Sequence, residues 1–321
     1  MKLLSLVVFI PLQILFVPLA VLGFILVAYR QLVVSKQLGV SQSAIEVLNG
    51  RWAMHIFGIR PDEATVSLAA ALPNTSLFGL WLCLFPLWLK FKLSGALSLY
   101  PRIPVAGTEN MADLVIVRTL YFDRIIERAI GDIEQFVVMG AGYDTRAYGR
   151  FRRDEVTFFE LDKAAVQEHK HHALAAARIP CEHVRFVSVD FSRDDFFVQL
   201  SEAGYDASKK TLFLWEGVTL YLSGTEVRRT MQEVRHNSAK GSILLADVYA
   251  NRMVDMGKTS VGNKLLEYAG EGFGFGLNFE SGWEAVLAAF VESESMSVGE
   301  TFFLGSNADK GPFVAVVEMR C

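Results

Sequence analysis

The chain has 321 residues, 52% of them hydrophobic and 21% charged, a formal net charge of -4 and a mean hydropathy of +0.30. This balance excludes an intrinsically disordered protein. The negative net charge, with no Lys/Arg-rich run, argues against a nucleic-acid partner, because phosphates call for a basic field. The three cysteines, Cys83, Cys181 and Cys321, form neither a CxxC pair nor a metal spacing, so no metal site is expected and a reducing setting fits.

The apolar excess sits in the first hundred residues. From Leu3 to Tyr29 there is no charge, a run of about 27 residues, longer than the roughly 20 needed to cross a bilayer. Pro11 and Pro18 interrupt it, which a membrane helix tolerates better than a soluble one. A cleaved signal peptide is the rival reading, but its apolar core spans only about 7–15 residues. Lys2 precedes the run and Arg30, Lys36 and Arg51 follow it, a bias that puts the C-terminal side in the cytoplasm. A second apolar stretch, Leu77 to Leu89, closes with Lys90 and Lys92. At about 13 residues it is short for a span. It reads equally as a segment lying at the headgroups, with Trp81 and Trp88, or as a buried lid helix. The expected organisation is an N-terminal transmembrane or anchor segment over 1–40, an apolar helical cap over 41–110, and a catalytic domain over 111–321.

The pattern then changes. Leu114 to Ile130 has the apolar spacing of an amphipathic helix. Phe136 to Met139 reads as a buried parallel strand and runs into Gly140-Ala141-Gly142-Tyr143-Asp144-Thr145-Arg146. A strand feeding a glycine-rich turn and then a helix marks a nucleotide-cofactor site, where Gly140 and Gly142 let the cofactor approach the main chain. A dinucleotide fingerprint requires a third glycine where Thr145 stands. The second strand, Val156 to Asp162, ends in Glu160 and Asp162, about 20 residues beyond the glycines, where an acid can accept hydrogen bonds from ribose. The third strand, Val184 to Val189, leads to Asp190 and Phe191, which could hold and cover an adenine ring. Equally, Asp190 or Ser192 could cap the next helix. Thr211 to Trp215 forms a fourth strand with Glu216 at its carboxyl end, facing a cofactor ammonium group or serving as a buried ion-pair partner. Gly241 to Val248 is a fifth strand and Ser281 to Ala289 a helix. Glu300–Leu304 and Phe313–Glu318 form a closing hairpin about a turn-rich connector. The implied fold class is α/β: a Rossmann-like, doubly wound, mostly parallel seven-stranded sheet with a C-terminal antiparallel hairpin, preceded by a membrane helix.

Taken in order, several segments resemble the leucine carboxyl methyltransferase family, which also includes O-methyltransferases of polyketide pathways. They are Arg118-Thr119-Leu120-Tyr121-Phe122-Asp123, Val138 to Arg146, Phe159-Glu160-Leu161-Asp162, Val189-Asp190-Phe191, Trp215 to Leu222 and Phe273-Gly274-Phe275-Gly276-Leu277. The resemblance covers roughly residues 41–319. It implies S-adenosyl-L-methionine as cofactor. Arg118 would grip the methionine carboxylate, Gly140, Ala141 and Gly142 would line the cofactor turn, and Asp162 or Glu160 would hold ribose. Asp190 and Phe191 would contact adenine, and Glu216 would face the amino group. The apolar N-terminus and the apolar stretch from Thr75 to Tyr100 depart from the common form, which favours an apolar or lipid-like acceptor over a protein one.

The expected reaction is methyl transfer to a carboxylate or hydroxyl. A hydroxyl acceptor needs a base and a carboxylate does not. Tyr143, Tyr148 and Tyr221 are candidates on the acceptor side, with Tyr221 the one carried forward as catalytic. His169, His171 and His172 read as a solvated helix face. Two rivals stand beside this reading. One is a nicotinamide-dependent oxidoreductase, disfavoured by Thr145 and by the lack of a Tyr-x-x-x-Lys pattern. The other is a non-catalytic, membrane-attached cofactor-binding module.

Overall fold

A computed structural model describes residues 2–191, 193–257 and 272–321. Ser192, one of the two candidate helix caps, lies outside the described residues. The chain divides by packing into two units, residues 104–142, 151–167 and 181–321 in one, and residues 1–103, 143–150 and 168–180 in the other.

The larger unit is built on seven strands: β1 (Gln135–Met139), β2 (Thr157–Asp162), β3 (Val184–Ser188), β4 (Thr211–Trp215), β5 (Ile243–Tyr249), β6 (Ser297–Leu304) and β7 (Val314–Arg320). Their order is β3-β2-β1-β4-β5-β7-β6. The first five are parallel, while β7 runs antiparallel to both β5 and β6. This is the α/β Rossmann-like sheet with a hairpin edge that the strand pattern implies. Every residue of β1 and β4 is buried. Covered on both faces, they read after Gln135 and Thr211 as apolar runs without alternation. The amphipathic helix appears as α6 (Leu114–Ala129), which buries Ile116, Val117, Phe122, Ile125 and Ile126. Its outer end meets the hairpin, where Tyr121 stacks on Phe302 at 3.9 Å between ring centroids and Arg124 pairs with Glu300 at 3.1 Å. Arg128 reaches both Glu300 and Glu318.

The smaller unit contains α1 (Lys2–Ala28), α2 (Ser35–Leu38), α3 (Gln42–Ile56), α4 (Glu63–Ala71) and α5 (Leu77–Ser94). Pro11 and Pro18 both lie inside α1. Two helices, Phe9–Leu38 and Leu77–Ser94, are long and apolar enough to cross a membrane. The second apolar stretch is longer than the sequence reading gave it. It forms an 18-residue helix, capped by Ser76, that carries Lys90 and Lys92 within its last turns rather than ending at them.

The glycine-rich turn also differs from expectation. No α-helix follows it; the chain makes a single 3-10 turn, Arg146–Tyr148. The Asp144 carboxylate explains this. Its Oδ1 accepts the Arg146 backbone N–H at 2.7 Å, a local bond that competes with a helical start. Its Oδ2 receives Arg146 Nη1 at 2.6 Å and Arg51 Nη1, from α3, at 2.8 Å. Lys170 Nζ donates to the Asp144 carbonyl at 2.7 Å. Burial alone would raise the Asp144 pKa, but Arg146, Arg51 and Lys170 reverse this and hold the carboxyl well below the usual carboxylate range.

Asp144→Asn leaves two buried guanidinium groups without this carboxylate and is expected to destabilise the unit by about 3–5 kcal/mol near neutral pH. Because the folded-state pKa lies below the unfolded value of about 3.9, the stabilisation is present above that pH and is lost as pH falls. Urea unfolding of both proteins should therefore show a gap that narrows below about pH 4.

Candidate functional site

The parallel registers bring five strand ends to one edge of the sheet. Met139 pairs with Leu161, Asp162 with Ser188, and Trp215 with Ala246. Gly140 and Glu216 follow their strands, Asp162 ends β2, and Asp247, inside β5, lies level with Glu216, at the edge where open α/β sheets bind ligands. The strand order reverses between β1 and β4, and the two loops meet there. Gly140 has φ +69°, and a Cβ at that position would overlap the Val218 side chain from the β4 loop.

The turn is fastened to β2. Gly140 N and Ala141 N both donate to the Leu161 carbonyl, at 2.8 and 2.9 Å. Gly142 N donates to Asp162 Oδ2 at 2.6 Å, and Lys163 N to Asp162 Oδ1 at 2.7 Å. Asp162 is half-buried at the strand end. Glu160 sits two residues earlier, opposite Val138 and Phe186, and is 1% exposed. Of the two acids, Asp162 is the one at the strand end and partly exposed.

Arg118 enters from α6. Its Nη1 donates to Asp247 Oδ2 at 2.7 Å and to the Tyr249 hydroxyl at 2.6 Å, and its Nε lies 3.3 Å from Glu216 Oε1. The Tyr249 hydroxyl in turn donates to Asp247 Oδ2 at 2.9 Å. Gly217 N donates to both Asp247 oxygens, and the Thr219 hydroxyl to the Asp247 carbonyl. Burial acts against the Arg118 charge, but Tyr249, Asp247 and Glu216 outweigh it and raise the guanidinium pKa. Burial also keeps the Tyr249 hydroxyl well above its ordinary value, although Arg118 opposes it. Asp247 and Tyr249 were not foreseen from the sequence. The available signal was an acid inside the apolar run Leu244-Leu245-Ala246-Asp247-Val248, where a carboxylate needs a buried cation.

Asp190 takes Arg193 Nε and Nη2 at 3.1 and 2.8 Å. It does not cap the next helix, α8 (Phe196–Glu202), whose N-cap residue is Asp195. Phe191 is buried and packs on Phe196 with ring centroids 5.5 Å apart. Tyr221 is half-buried in a 3-10 turn, its ring 5.7 Å from that of Phe273. Among the histidines of α7 (Ala164–Ala176), His171 and His172 are exposed. His169 departs from the solvated reading: its Nδ1 is 2.8 Å from the Tyr143 hydroxyl, and burial lowers its pKa.

Residues 100–235 match the family model of leucine carboxyl methyltransferase. This stretch holds Arg118, the glycine turn, Asp162, Asp190, Glu216 and Tyr221. Among curated proteins, the chain is 37% identical over 143 residues to a "Putative S-adenosyl-L-methionine-dependent methyltransferase" of Mycobacteroides abscessus, covering 44% of this chain and 48% of that one. A protein of the same description from Mycobacterium avium is 39% identical over 140 residues, covering 43% and 44%. The chain thus spans about half the length of the curated relatives it matches. Among solved structures, a "putative methyltransferase" of Thermobifida fusca is 14% identical, with a TM-score of 0.49, over 81% of this chain and 97% of that one.

Gly140→Ala combines a left-handed backbone, unfavourable by about 1–2 kcal/mol for any L side chain, with the overlap on Val218. Adding Val218→Ala should recover the overlap part of the lost stability and leave the backbone part. Urea unfolding of the two single variants and the double variant separates them.

Proposed function

We propose that the protein is an S-adenosyl-L-methionine-dependent methyltransferase that methylates an oxygen, carboxylate or hydroxyl, of an apolar, lipid-like acceptor. It works while held at a membrane through α1, with the sheet on the cytoplasmic side. The observation that carries this reading is the charge pattern around Arg118. One guanidinium faces two carboxylates, Glu216 and Asp247, leaving one net negative charge at the strand ends. Adenosylmethionine carries a sulfonium, an ammonium and a carboxylate, one net positive charge. A site holding both signs suits its amino-acid end. The turn supports the same choice. A dinucleotide pyrophosphate favours a helix N-terminus, and here the turn is followed by a 3-10 segment stapled by Asp144.

In this reading Arg118, with Nη1 committed to Asp247 and Tyr249, presents its remaining edge to the cofactor carboxylate. Glu216 faces the ammonium group. Asp162, already oriented by Gly142 N, accepts from ribose hydroxyls, and Gly140 to Gly142 leave room for the adenosyl group. Asp190 and Phe191 flank the adenine. The cofactor supplies an electrophilic methyl group whose carbon–sulfur bond breaks as the carbon–oxygen bond forms, releasing S-adenosylhomocysteine. What the protein contributes is alignment, which can supply about 7–11 kcal/mol in favourable cases. A carboxylate acceptor arrives deprotonated. A hydroxyl acceptor needs its proton taken, and Tyr221 is the candidate for that contact. The apolar acceptor and the membrane site are supported by the length and composition of α1 and α5.

Calorimetric titration of the detergent-solubilised protein with S-adenosylmethionine and S-adenosylhomocysteine tests this directly. Binding of both is expected, weakened about 10–100-fold in Arg118→Ala and in Asp162→Ala, as loss of a charge-assisted hydrogen bond implies. Folded protein that binds NADH or NADPH and neither adenosyl compound would replace the methyltransferase by an oxidoreductase.

A further inference from the structure

The α1 surface is divided unevenly. Phe9, Gln13, Phe16, Ala20, Gly23 and Val27 form a seam at four- and three-residue spacing that is buried or half-buried, while the positions between them are largely exposed. Ile14, Leu15 and Phe24 are 68%, 70% and 68% exposed. The seam packs on α5. A Cβ on Gly23 would lie 2.5 Å from the Gly79 carbonyl oxygen, and Cys83 Sγ lies 3.4 Å from the Ala20 carbonyl. Phe16 stacks on Phe85 at 5.3 Å, and Lys90 Nζ is 5.6 Å from the Phe9 ring. The two helices are therefore antiparallel, and α5 is in contact with α1 from Phe9 to Val27.

The other side of α5 is not free for lipid. Trp81 meets Trp52 of α3 at 5.5 Å, and Phe91 meets Phe57, just past the end of α3, at 5.6 Å. Next to Trp52 is Arg51, whose guanidinium joins the buried cluster of Asp144, Arg146 and Lys170. Beyond α5 the chain returns to α3, where burial and Glu46 push the Tyr100 hydroxyl up to about 12. The layers are thus a helix without charge beyond Lys2, an intermediate helix with tryptophans and lysines, and a third helix bearing charge. If α1 and α5 stood upright across a bilayer, the α3 layer and its cluster would lie at hydrocarbon depth, where ionised groups are expelled.

We propose that α1 does not cross the membrane but lies along it, buried in one leaflet, with α5 at the headgroup level and α3 on the water side. This rests on the membrane attachment proposed above and assigns its geometry. The dimensions agree. A helix is about 10–12 Å wide with its side chains, and one leaflet of a hydrocarbon core is about 15 Å thick, half of the bilayer value. The composition of each layer agrees as well. α1 lacks a polar face of its own, which fits a helix with lipid on every side but its seam. In α5, Trp88 and Lys92 lie together, with Lys92 Nζ 5.6 Å from the Trp88 ring, the residue types that favour the interface and anionic headgroups. The occupant of the exposed α1 face is therefore the acyl region of an anionic phospholipid leaflet, and the chain on both sides of α1 stays in the same aqueous compartment.

The test uses the full chain with Cys83, Cys181 and Cys321 replaced by serine, and one new cysteine at either Lys2→Cys or Asp154→Cys. The protein is added from dilute detergent to preformed vesicles of phosphatidylcholine and phosphatidylglycerol and recovered by flotation. A membrane-impermeant maleimide should label both positions to the same extent before and after the vesicles are lysed. Protection of Lys2→Cys until lysis, with Asp154→Cys labelled throughout, would overturn the in-plane arrangement and establish a span. Failure to float would instead remove the membrane attachment itself. A dimer in solution under those conditions would assign the exposed face to a second copy of the chain. Ile14→Glu with Phe24→Glu should abolish flotation, with an unchanged circular dichroism spectrum showing that the fold survives.

Discussion

One buried guanidinium organises the candidate site. Arg118 reaches from α6 to the ends of β4 and β5, and without a cation there Asp247 would be an uncompensated carboxylate inside an apolar strand. The penalty for leaving such a charge alone is several kcal/mol, so the pair has to form as the strands pack. Asp247 then orders what lies around it. It takes the Gly217 amide, the Thr219 hydroxyl and the Tyr249 hydroxyl, and so sets the course of the loop that carries Glu216 and Val218. Val218 fills the space that Gly140 leaves. A chain of contacts thus runs from α6 through β5 and the β4 loop to the glycine turn.

The smaller unit solves a related problem in a different way. There one carboxylate, Asp144, is shared by two arginines, and a lysine holds its carbonyl. The arrangement replaces the helix start that usually follows a glycine-rich turn. It also draws in α3, whose Trp52 packs on Trp81 on the side of α5 away from α1.

Much of the sheet was legible from the sequence. Runs such as Phe136 to Met139 and Thr211 to Trp215 are short, apolar and bounded by turn residues, and a strand covered on both faces has no other appearance. The closing hairpin was signalled by the turn-rich connector between Leu304 and Phe313. Two things were not legible. The helix expected after Gly142 fails because a side chain, Asp144, captures the backbone locally, and identical residues in a different context could have capped a helix. The partners of Arg118 lie 129 and 131 positions away in the chain, and no periodicity reports a pairing over that distance. For α5, composition suggested where the helix begins but not where it stops, because Lys90 and Lys92 resemble a boundary yet their long stems are compatible with a continuing helix.

The edge hairpin carries a consequence of its own. α6 holds Arg118 near one end, while its other end is locked to β6 and β7 through Tyr121, Arg124 and Arg128. A rigid rod gripped at both ends transmits tilt. Glu300 and Phe302 on the edge strand β6, and Glu318 on β7 beside it, are thereby joined through one helix to the guanidinium that sits between β4 and β5.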